Sequence, residues 1–281
     1  MLKIAVPNKG SLSESATSML REAGYRQRSD ARDLTLIDPE NEIEFYYLRP
    51  RDIAIYVGSG ELELGITGRD LLIDSNVAAT EILPLDFGRS TFRFAAPSTQ
   101  SFTLADIAGQ RIATAYPVLL QKYLEERGIS ATIVRLDGAV ESSIRLGVAD
   151  LIADVVSTGG TLRQAGLQVF GDSILESEAI LIEGSATKRS AEIETVIRRL
   201  NGVVIARQYV LVDYDIVDTS LQAACLLTPG IESPTVSPLQ KNGWSAVRAM
   251  VRKKDVNKVM DELWSVGARG IIVTDIHACR L

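Results

Sequence analysis

A glycine-rich segment with several hydroxyl side chains, IADVVSTGGTL at residues 152–162, is the part of the chain best suited to chemistry. Backbone N–H groups bind phosphate well, and glycines allow the backbone to approach it closely. The segment follows a predicted strand, DLIADVV, and precedes a predicted helix, TLRQAG, and open α/β sheets bind ligands at such strand ends. We therefore expect a phosphate-binding loop formed by Ser157, Thr158, Gly159, Gly160 and Thr161.

Asp154 precedes this loop by three residues and is the candidate for a second role. A bare carboxylate repels phosphate, so Asp154 is suited to ribose hydroxyls or to a cation that the phosphates share. The segment is not a Walker A motif, because no Lys follows its last glycine. The alternative is a glycine-rich turn whose hydroxyl groups only cap a helix.

The elements that must position these residues follow an α/β pattern. Short apolar runs such as LKIAVPN, RIATAY and ATIVRL alternate with helical stretches, which predicts helices covering a largely parallel sheet. After about residue 206 the predicted order becomes βαββαβ, the plan of small ferredoxin-like domains. We therefore expect an α/β part followed by a smaller domain of a different type.

Composition restricts the class of protein further. The chain has 281 residues, a net charge of −6 and no block of like charge, so we expect neither a nucleic-acid nor a membrane partner. The single histidine, His277, argues against a histidine-dependent triad or a histidine-ligated metal. The N-terminus lacks the pattern of a signal peptide, and we expect a cytoplasmic protein.

The string ESSIRLGVADLIADVVSTGGTL resembles the signature of the ATP phosphoribosyltransferase family. The family pattern has a Glu, five residues, a Gly, two Asp four positions apart, and then hydroxyl–Gly–x–Thr. This chain matches it at Glu141, Gly147, Asp150, Ile152, Asp154, Val156, Gly159, Thr161 and Leu162. The segments PNKGSL, RPRDIAIYVGSGELELGITGRDL and ATAYP are also similar to this family, and the C-terminal unit is similar to the regulatory domain of its long form.

The resemblance implies a specific reaction and assembly. The enzyme would join N1 of ATP to the ribose of phosphoribosyl pyrophosphate and release pyrophosphate, with Mg²⁺ required. Histidine would inhibit from the C-terminal domain, and the chain would form dimers and hexamers. The catalytic part would resemble two-lobed periplasmic binding proteins, with residues 1–90 and 180–205 in one lobe and 91–179 in the other. Residues 206–281 would form the regulatory, histidine-binding domain.

Within that scheme the STGGT loop would hold the 5′-phosphate and Asp154 the ribose hydroxyls. Lys9 and Gly10 follow the first predicted strand, where Lys9 is suited to pyrophosphate or triphosphate oxygens. Arg49 and Arg51 flank Pro50, and we favour Arg49 for neutralising phosphate. For Lys9 and Arg49 the alternative is a solvated surface cation.

Three further residues are expected to bind substrate. Asp70 begins a predicted helix, where a role as N-cap competes with ligand contact. Tyr116 ends a predicted strand and is suited to stacking on a purine, or else packs as an ordinary tyrosine. Glu141 begins a predicted helix and is expected to support the ribose or the phosphate loop.

The C-terminal domain carries a candidate effector site. Asp213 and Asp215 lie on one face of a predicted strand, where a carboxylate suits the ammonium group of an amino acid. Thr235 and the backbone around Gly270 are expected on neighbouring elements. The alternative is that both acids are solvated residues at a strand end.

Two other classes of protein fit parts of the sequence. A phosphoribosyltransferase of the purine or pyrimidine type has a similar loop, but usually with two adjacent acids, whereas Ala153 precedes Asp154 here. A non-catalytic two-lobed solute receptor with an added sensing domain shares the expected fold. The absence of a secretion signal and the presence of a phosphate loop disfavour the receptor.

Overall fold

The computed structural model describes residues 1–156 and 159–280, which divide into two compact units. The first unit holds Met1–Arg21 and Tyr25–Ile193. The second holds Glu22–Gly24 and the described residues from Glu194 onward. No helix among the described residues is both long enough and apolar enough to cross a membrane.

The first unit begins with a six-stranded sheet in the order β2-β3-β1-β4-β11-β5. Its strands are β1 (Leu2–Pro7), β2 (Thr35–Asp38), β3 (Ile43–Leu48), β4 (Leu64–Gly68), β5 (Ala79–Pro84) and β11 (Ala179–Gly184). The helices that follow β1, β3 and β4 are α1 (Ser11–Glu22), α2 (Pro50–Gly58) and α3 (Arg69–Ser75). The central strands β1 and β4 are almost entirely buried, as expected for strands covered on both faces.

A second, five-stranded sheet of the same unit has the order β10-β6-β9-β7-β8. Its strands are β6 (Ser90–Pro97), β7 (Arg111–Thr114), β8 (Thr132–Arg135), β9 (Leu151–Val156) and β10 (Leu167–Ser177). The helices between them are α4 (Pro117–Glu126), α5 (Ser142–Arg145) and α6 (Gly160–Gln164). The core under α4 contains Phe92, Phe94, Leu120 and Leu151.

The prediction of a largely parallel sheet was wrong, because both sheets are mixed. In the first, β1 pairs in parallel with β3 and β4, whereas β2 and β11 pair antiparallel with their neighbours. In the second, β7 is parallel to β8 and β9, but β6 is antiparallel to β9 and β10. The antiparallel pairs include β5 and β10, two strands that the sequence pattern did not predict.

Two predicted helices differ in extent from the observed ones. The segment AVESSIRLGV predicts a helix over residues 139–148. The observed helix is reduced to Ser142–Arg145, in a stretch that contains Gly138 and Gly147, both at positive φ. The segment IAIYVGSG is typical of a helix, and Asp52 immediately before it is a predicted cap. The observed helix begins earlier, because Pro50 occupies its first turn and Arg49 is the N-cap. Asp52 lies within the first turn instead.

The second unit contains a four-stranded sheet in the order β13-β14-β12-β15, with βαββαβ connectivity. After α7 (Ala191–Gln208), its elements are β12 (Tyr209–Val217), α8 (Leu221–Leu227), β13 (Thr235–Pro238), β14 (Trp244–Arg252), α9 (Val256–Ser265) and β15 (Arg269–Asp275). Along β12 every second residue is buried, so one face of the sheet packs into the core with Ala224 of α8 and Leu263 of α9. The ferredoxin-like fold predicted for this part is confirmed.

Candidate active site

A cavity of about 360 Å³ lies in the first unit, where strands of both sheets end. Its walls are the segments that follow β1, β3, β4, β5 and β7, together with Val155 near the end of β9. The lining residues are Lys9, Gly10, Ser11, Leu12, Pro50, Gly68, Asp70, Leu71, Gly88, Arg89, Ser90, Tyr116 and Val155. Four predicted site residues from three distant parts of the chain therefore lie around one cavity: Lys9, Gly10, Asp70 and Tyr116.

Asp70 lies in the first turn of α3 and is buried. The expected N-cap role was wrong: Gly68 is the N-cap, because it is the extended residue immediately before the helix. The Ser177 hydroxyl instead donates to Oδ1 of Asp70 at 2.8 Å, and the Asp70 backbone N–H donates to Ser177 Oγ at 3.1 Å. These bonds fix the carboxylate of Asp70 at the cavity wall.

Tyr116 is the N-cap residue of α4, two residues after the end of β7. Burial raises the pKa of its hydroxyl well above the usual range, and the negative charges of Asp70 and Asp154 raise it further. Tyr116 therefore keeps its proton at neutral pH, and its ring packs edge-on against Phe92 with centroids 5.5 Å apart.

Asp154 lies on β9, directly opposite Arg93 of the antiparallel strand β6. Burial raises the pKa of its carboxyl group to about 6, and the charge of Glu141 contributes to the rise. The Val155 N–H donates to Asp154 Oδ1 at 2.8 Å, and this bond and the charge of Arg51 oppose the rise. Asp154 is thus a largely desolvated anion at neutral pH, close enough to Asp70 to interact with it electrostatically.

The predicted phosphate-binding cations occupy different positions. Lys9 and Gly10 are exposed and line the cavity directly after β1. Arg49 is an exposed N-cap residue, adjacent to the cavity-lining Pro50. Arg51, rather than Arg49, approaches Tyr116, with its guanidinium carbon 4.9 Å from the ring centroid. The role of Arg49 stays a prediction.

Part of the expected phosphate loop can be described. Ser157 and Thr158 lie outside the described residues. Gly159 has a φ of +68°, a conformation that favours glycine, and Gly160 begins α6 with the exposed Thr161 next to it. A second cavity beside Gly159 is lined by two arginines that sequence reasoning missed, Arg93 and Arg163. Only the register of β6 against β9 places Arg93 there.

The four predicted effector residues lie on the sheet of the second unit. Asp213 on β12 accepts a hydrogen bond from Arg248 Nε at 2.7 Å, and Arg248 is the register partner of Thr235 on β13. The Asp215 carboxylate lies beside Gly270, where a Cβ atom would be 3.6 Å from Oδ2. Neighbouring strands thus bring Asp213, Thr235, Asp215 and Gly270 onto one sheet.

These features define an α/β protein with a ligand-sized cavity at its strand ends and a second, ferredoxin-like domain. Comparison with known proteins makes the assignment specific. The chain belongs to the ATP phosphoribosyltransferase family, whose model matches residues 49–202, and the family model for the HisG C-terminal domain matches residues 206–278. The family resemblance predicted from the sequence is confirmed.

Relatives agree over the whole length of the chain. An ATP phosphoribosyltransferase of Arthrobacter sp. (strain FB24) is 61% identical over 286 residues, and one of Salinispora tropica is 58% identical over 281 residues; in both cases the match covers 100% of each chain. A solved structure, the ATP phosphoribosyl transferase (HisG:HisZ) complex from Thermotoga maritima, is 26% identical with a TM-score of 0.62. That match covers 73% of this chain and 98% of the other. The chain is therefore a transferase of the first step of histidine biosynthesis.

Proposed function

We propose that this enzyme transfers the 5-phosphoribosyl group from phosphoribosyl pyrophosphate to N1 of ATP and releases pyrophosphate. The observation that carries the proposal is the cavity at the strand ends, where Lys9, Asp70 and Tyr116 lie together and Asp154 is close by. The full-length relatives are named ATP phosphoribosyltransferase, which supports ATP as a substrate and a phosphoribosyl group as the group transferred. The new bond joins adenine N1 to ribose C1, and the bond from C1 to pyrophosphate breaks.

The side chains fit a reaction that needs positioning more than proton transfer. Adenine N1 has a free lone pair, so no base is required before attack. The ribose gains positive character as the pyrophosphate leaves, and preorganised charges lower the energy of such a state. Asp154 is proposed to hold the ribose hydroxyls, and Lys9 and Arg49 are proposed to hold phosphate oxygens.

The remaining predicted residues complete the proposed substrate site. The 5′-phosphate is proposed to bind the loop formed by Ser157, Thr158, Gly159, Gly160 and Thr161. Glu141 is proposed to support that loop. Tyr116 is proposed to stack on the purine, with Gly10 and Asp70 as neighbouring contacts. Thr161 supplies an exposed hydroxyl, and the αL conformation of Gly159 turns the backbone immediately before α6.

Magnesium fits this site as an ion that is carried mainly by substrate phosphates. Among the described residues, no group of three or more His, Cys, Asp or Glu side chains is arranged to hold a metal ion. The carboxylates of Asp70 and Asp154 nevertheless interact, and Mg²⁺ often uses only one or two carboxylates beside phosphate oxygens. When bound, Mg²⁺ would neutralise charge on the pyrophosphate, and Asp70 or Asp154 would be its protein ligand.

Regulation and assembly are further parts of the proposal. Histidine is proposed to bind the domain of residues 206–281 through Asp213, Asp215, Thr235 and the backbone at Gly270, and to inhibit the reaction. The catalytic lobes are proposed to comprise residues 1–90 with 180–205, and residues 91–179. The enzyme is proposed to form dimers and hexamers.

The decisive experiment supplies ATP, phosphoribosyl pyrophosphate and Mg²⁺ and follows the absorbance of an N1-substituted adenine. We expect product from the wild type and a loss of roughly 10- to 150-fold in Asp154→Asn, from hydrogen bonds to a charged group. Asp137→Asn is the matched control, because the side chain of Asp137 is 91% exposed. Absence of product from the folded wild type would refute the proposed function, whereas full activity in Asp154→Asn would refute only the role of Asp154.

A further inference from the structure

The N-terminus of α4 is capped by a side chain from a different helix. The N-cap residue, Tyr116, makes no capping bond with its own side chain. Oδ1 of Asp74, near the end of α3, instead accepts from the N–H groups of Val118 at 2.9 Å and Leu119 at 3.2 Å. The first N–H groups of a helix have no acceptor within the helix, so a buried aspartate there is strongly favourable.

Arg51 binds the other oxygen of the same carboxylate. Its Nη1 donates to Asp74 Oδ2 at 2.7 Å, and its Nη2 donates to the carbonyl oxygen of Ala115 at 2.8 Å. The guanidinium also lies over the ring of Tyr116. Arg51 therefore joins α2, the end of α3 and the backbone immediately before Tyr116.

Tyr116 is consequently fixed beside α3. The backbone immediately before it is bonded to Arg51, and the backbone that follows it is bonded to Asp74 of α3. The negative charge of Asp70, one helical turn earlier in α3, acts on its hydroxyl. Helix α3 follows a strand of the first sheet, and α4 follows a strand of the second. Ile73, also on α3, packs against the core of the second sheet. The contact thus connects the two sheets at the wall of the cavity.

We propose that Arg51 and Asp74 are positioning residues, which fix Tyr116 and the start of α4 against α3 and thereby shape the subsite for the purine. This rests on the proposed function, in which Tyr116 stacks on the adenine of ATP. The guanidinium of Arg51 and the ring of Phe92 already contact the Tyr116 ring, so its orientation is set before ATP binds. Neither Arg51 nor Asp74 needs to touch a reacting atom.

The test compares Arg51→Gln and Asp74→Asn with Lys122→Ala. Lys122 is the matched control, because its Nζ donates to Asn76 Oδ1 at 2.7 Å and so joins α4 to the end of α3 away from Tyr116. We expect the KM for ATP to rise about tenfold in both test variants, while the KM for phosphoribosyl pyrophosphate changes less than about twofold. The KM for ATP of the double variant should be close to that of the more impaired single variant, because both substitutions break the same ion pair between Arg51 and Asp74.

Two further measurements separate positioning from general stability. Arg51→Lys keeps the charge but cannot reach Asp74 and Ala115 with a planar fork, so it should recover only part of the ATP affinity. Calorimetric binding of ATP gives the same comparison without turnover, and should show about tenfold weaker binding in Arg51→Gln. Arg51 is 42% exposed at its side chain, so this variant is expected to fold even where Asp74→Asn does not.

The outcomes also separate this inference from the proposed function. If the wild type binds ATP but forms no product, the proposed reaction is contradicted. The calorimetric comparison of ATP binding by wild type and Arg51→Gln would still test the positioning role. An Arg51→Gln enzyme whose ATP affinity stays within about twofold of the wild type overturns the positioning role. A lower melting temperature with unchanged KM values would show that the bridge only stabilises the fold.

Discussion

Two aspartates in different units face an arginine in the same way, yet only one is paired with it. Asp213 on β12 lies opposite Arg248, and Arg248 Nε donates to its Oδ1 at 2.7 Å. Asp154 on β9 lies opposite Arg93, but Arg93 donates through Nη2 to the Gly171 carbonyl oxygen at 2.5 Å. Within the described part of the chain, Nε of Arg93 is buried without a partner.

The comparison shows that strand register alone does not decide how a charge is compensated. Both residues are partly buried, but Asp213 has an arginine as its hydrogen-bond donor, whereas Asp154 accepts a hydrogen bond from the next backbone N–H. Desolvation raises the pKa of Asp154 to about 6, and the bond from Val155 and the charge of Arg51 only partly oppose that rise. A ligand with hydroxyl donors or a cation would supply the hydrogen bonds or the positive charge that Asp154 does not receive from Arg93. This is consistent with a binding role for Asp154.

The largest expected effect is on stability and would sharpen this contrast. In wild type, folding raises the pKa of Asp154 from 3.8 to about 6. As the pH rises, Asp154 therefore loses its proton at a lower pH in the unfolded chain than in the folded one. The resulting cost to the folded state is absent below about pH 4, grows between pH 4 and 6, and is constant above pH 6. Asp154→Asn removes this cost of about 3 kcal/mol and should melt higher than wild type above pH 6.

The measurement is the difference in melting temperature between variant and wild type from pH 4 to pH 8. Asp137 is an exposed acid of the same unit. The difference in melting temperature between Asp137→Asn and wild type should therefore not increase with pH. If the difference for Asp154→Asn is the same at pH 4 and pH 8, the carboxylate is not desolvated and the comparison with Asp213 fails. A more stable but less active variant would be the trade-off expected of a binding site.

A second prediction concerns the loop that follows Asp154. Thr161→Val removes a hydroxyl proposed to contact the 5′-phosphate, and should weaken the binding of phosphoribosyl pyrophosphate by roughly 1.5–3 kcal/mol. Thr161→Ser keeps the hydroxyl and is the matched control. The KM for phosphoribosyl pyrophosphate is the measurement, and an unchanged value in Thr161→Val would show that the loop has been assigned wrongly.

Sequence reasoning worked best where a local pattern carries the information. The alternation along β12 placed Asp213 and Asp215 on one face, and the strand and helix around residues 152–162 were placed nearly as observed. Strand β10 was missed because its middle reads FGDSI, with a Gly, an Asp and a Ser typical of a turn, and its register shifts there. Its end supplies Ser177, which holds Asp70.

Long-range partners had no local signal at all. Asp74 stands in an ordinary helical stretch, and its backbone partners Val118 and Leu119 are 44 and 45 residues away. Arg51 was considered only as an alternative to Arg49, because nothing near it in sequence indicates Tyr116. Such contacts depend on how two sheets meet, which a single sequence does not show.

A third prediction tests the second unit as an effector site. Asp215→Ala should make the enzyme less sensitive to histidine by about 5- to 150-fold, the usual range of coupling between two sites. Uninhibited turnover should stay near normal, because Asp215 lies in the unit that does not contain the cavity. Inhibition of wild type should be non-competitive with phosphoribosyl pyrophosphate. Purely competitive inhibition, or unchanged inhibition in both Asp213→Ala and Asp215→Ala, would contradict this location.

The smallest expected effect belongs to the paired aspartate itself. The side chains of Arg248 and Asp213 are 61% and 31% exposed, and exposed ion pairs contribute little because solvent screens them and ordering two side chains costs entropy. A double-mutant cycle of Asp213→Ala and Arg248→Ala should therefore give a coupling energy below about 1 kcal/mol, and less at high salt. Denaturant unfolding at two salt concentrations measures it. A coupling above about 2 kcal/mol would mean that this face is desolvated, as in an interface between subunits, and the contrast between an aspartate paired with an arginine and one without such a pair would no longer hold.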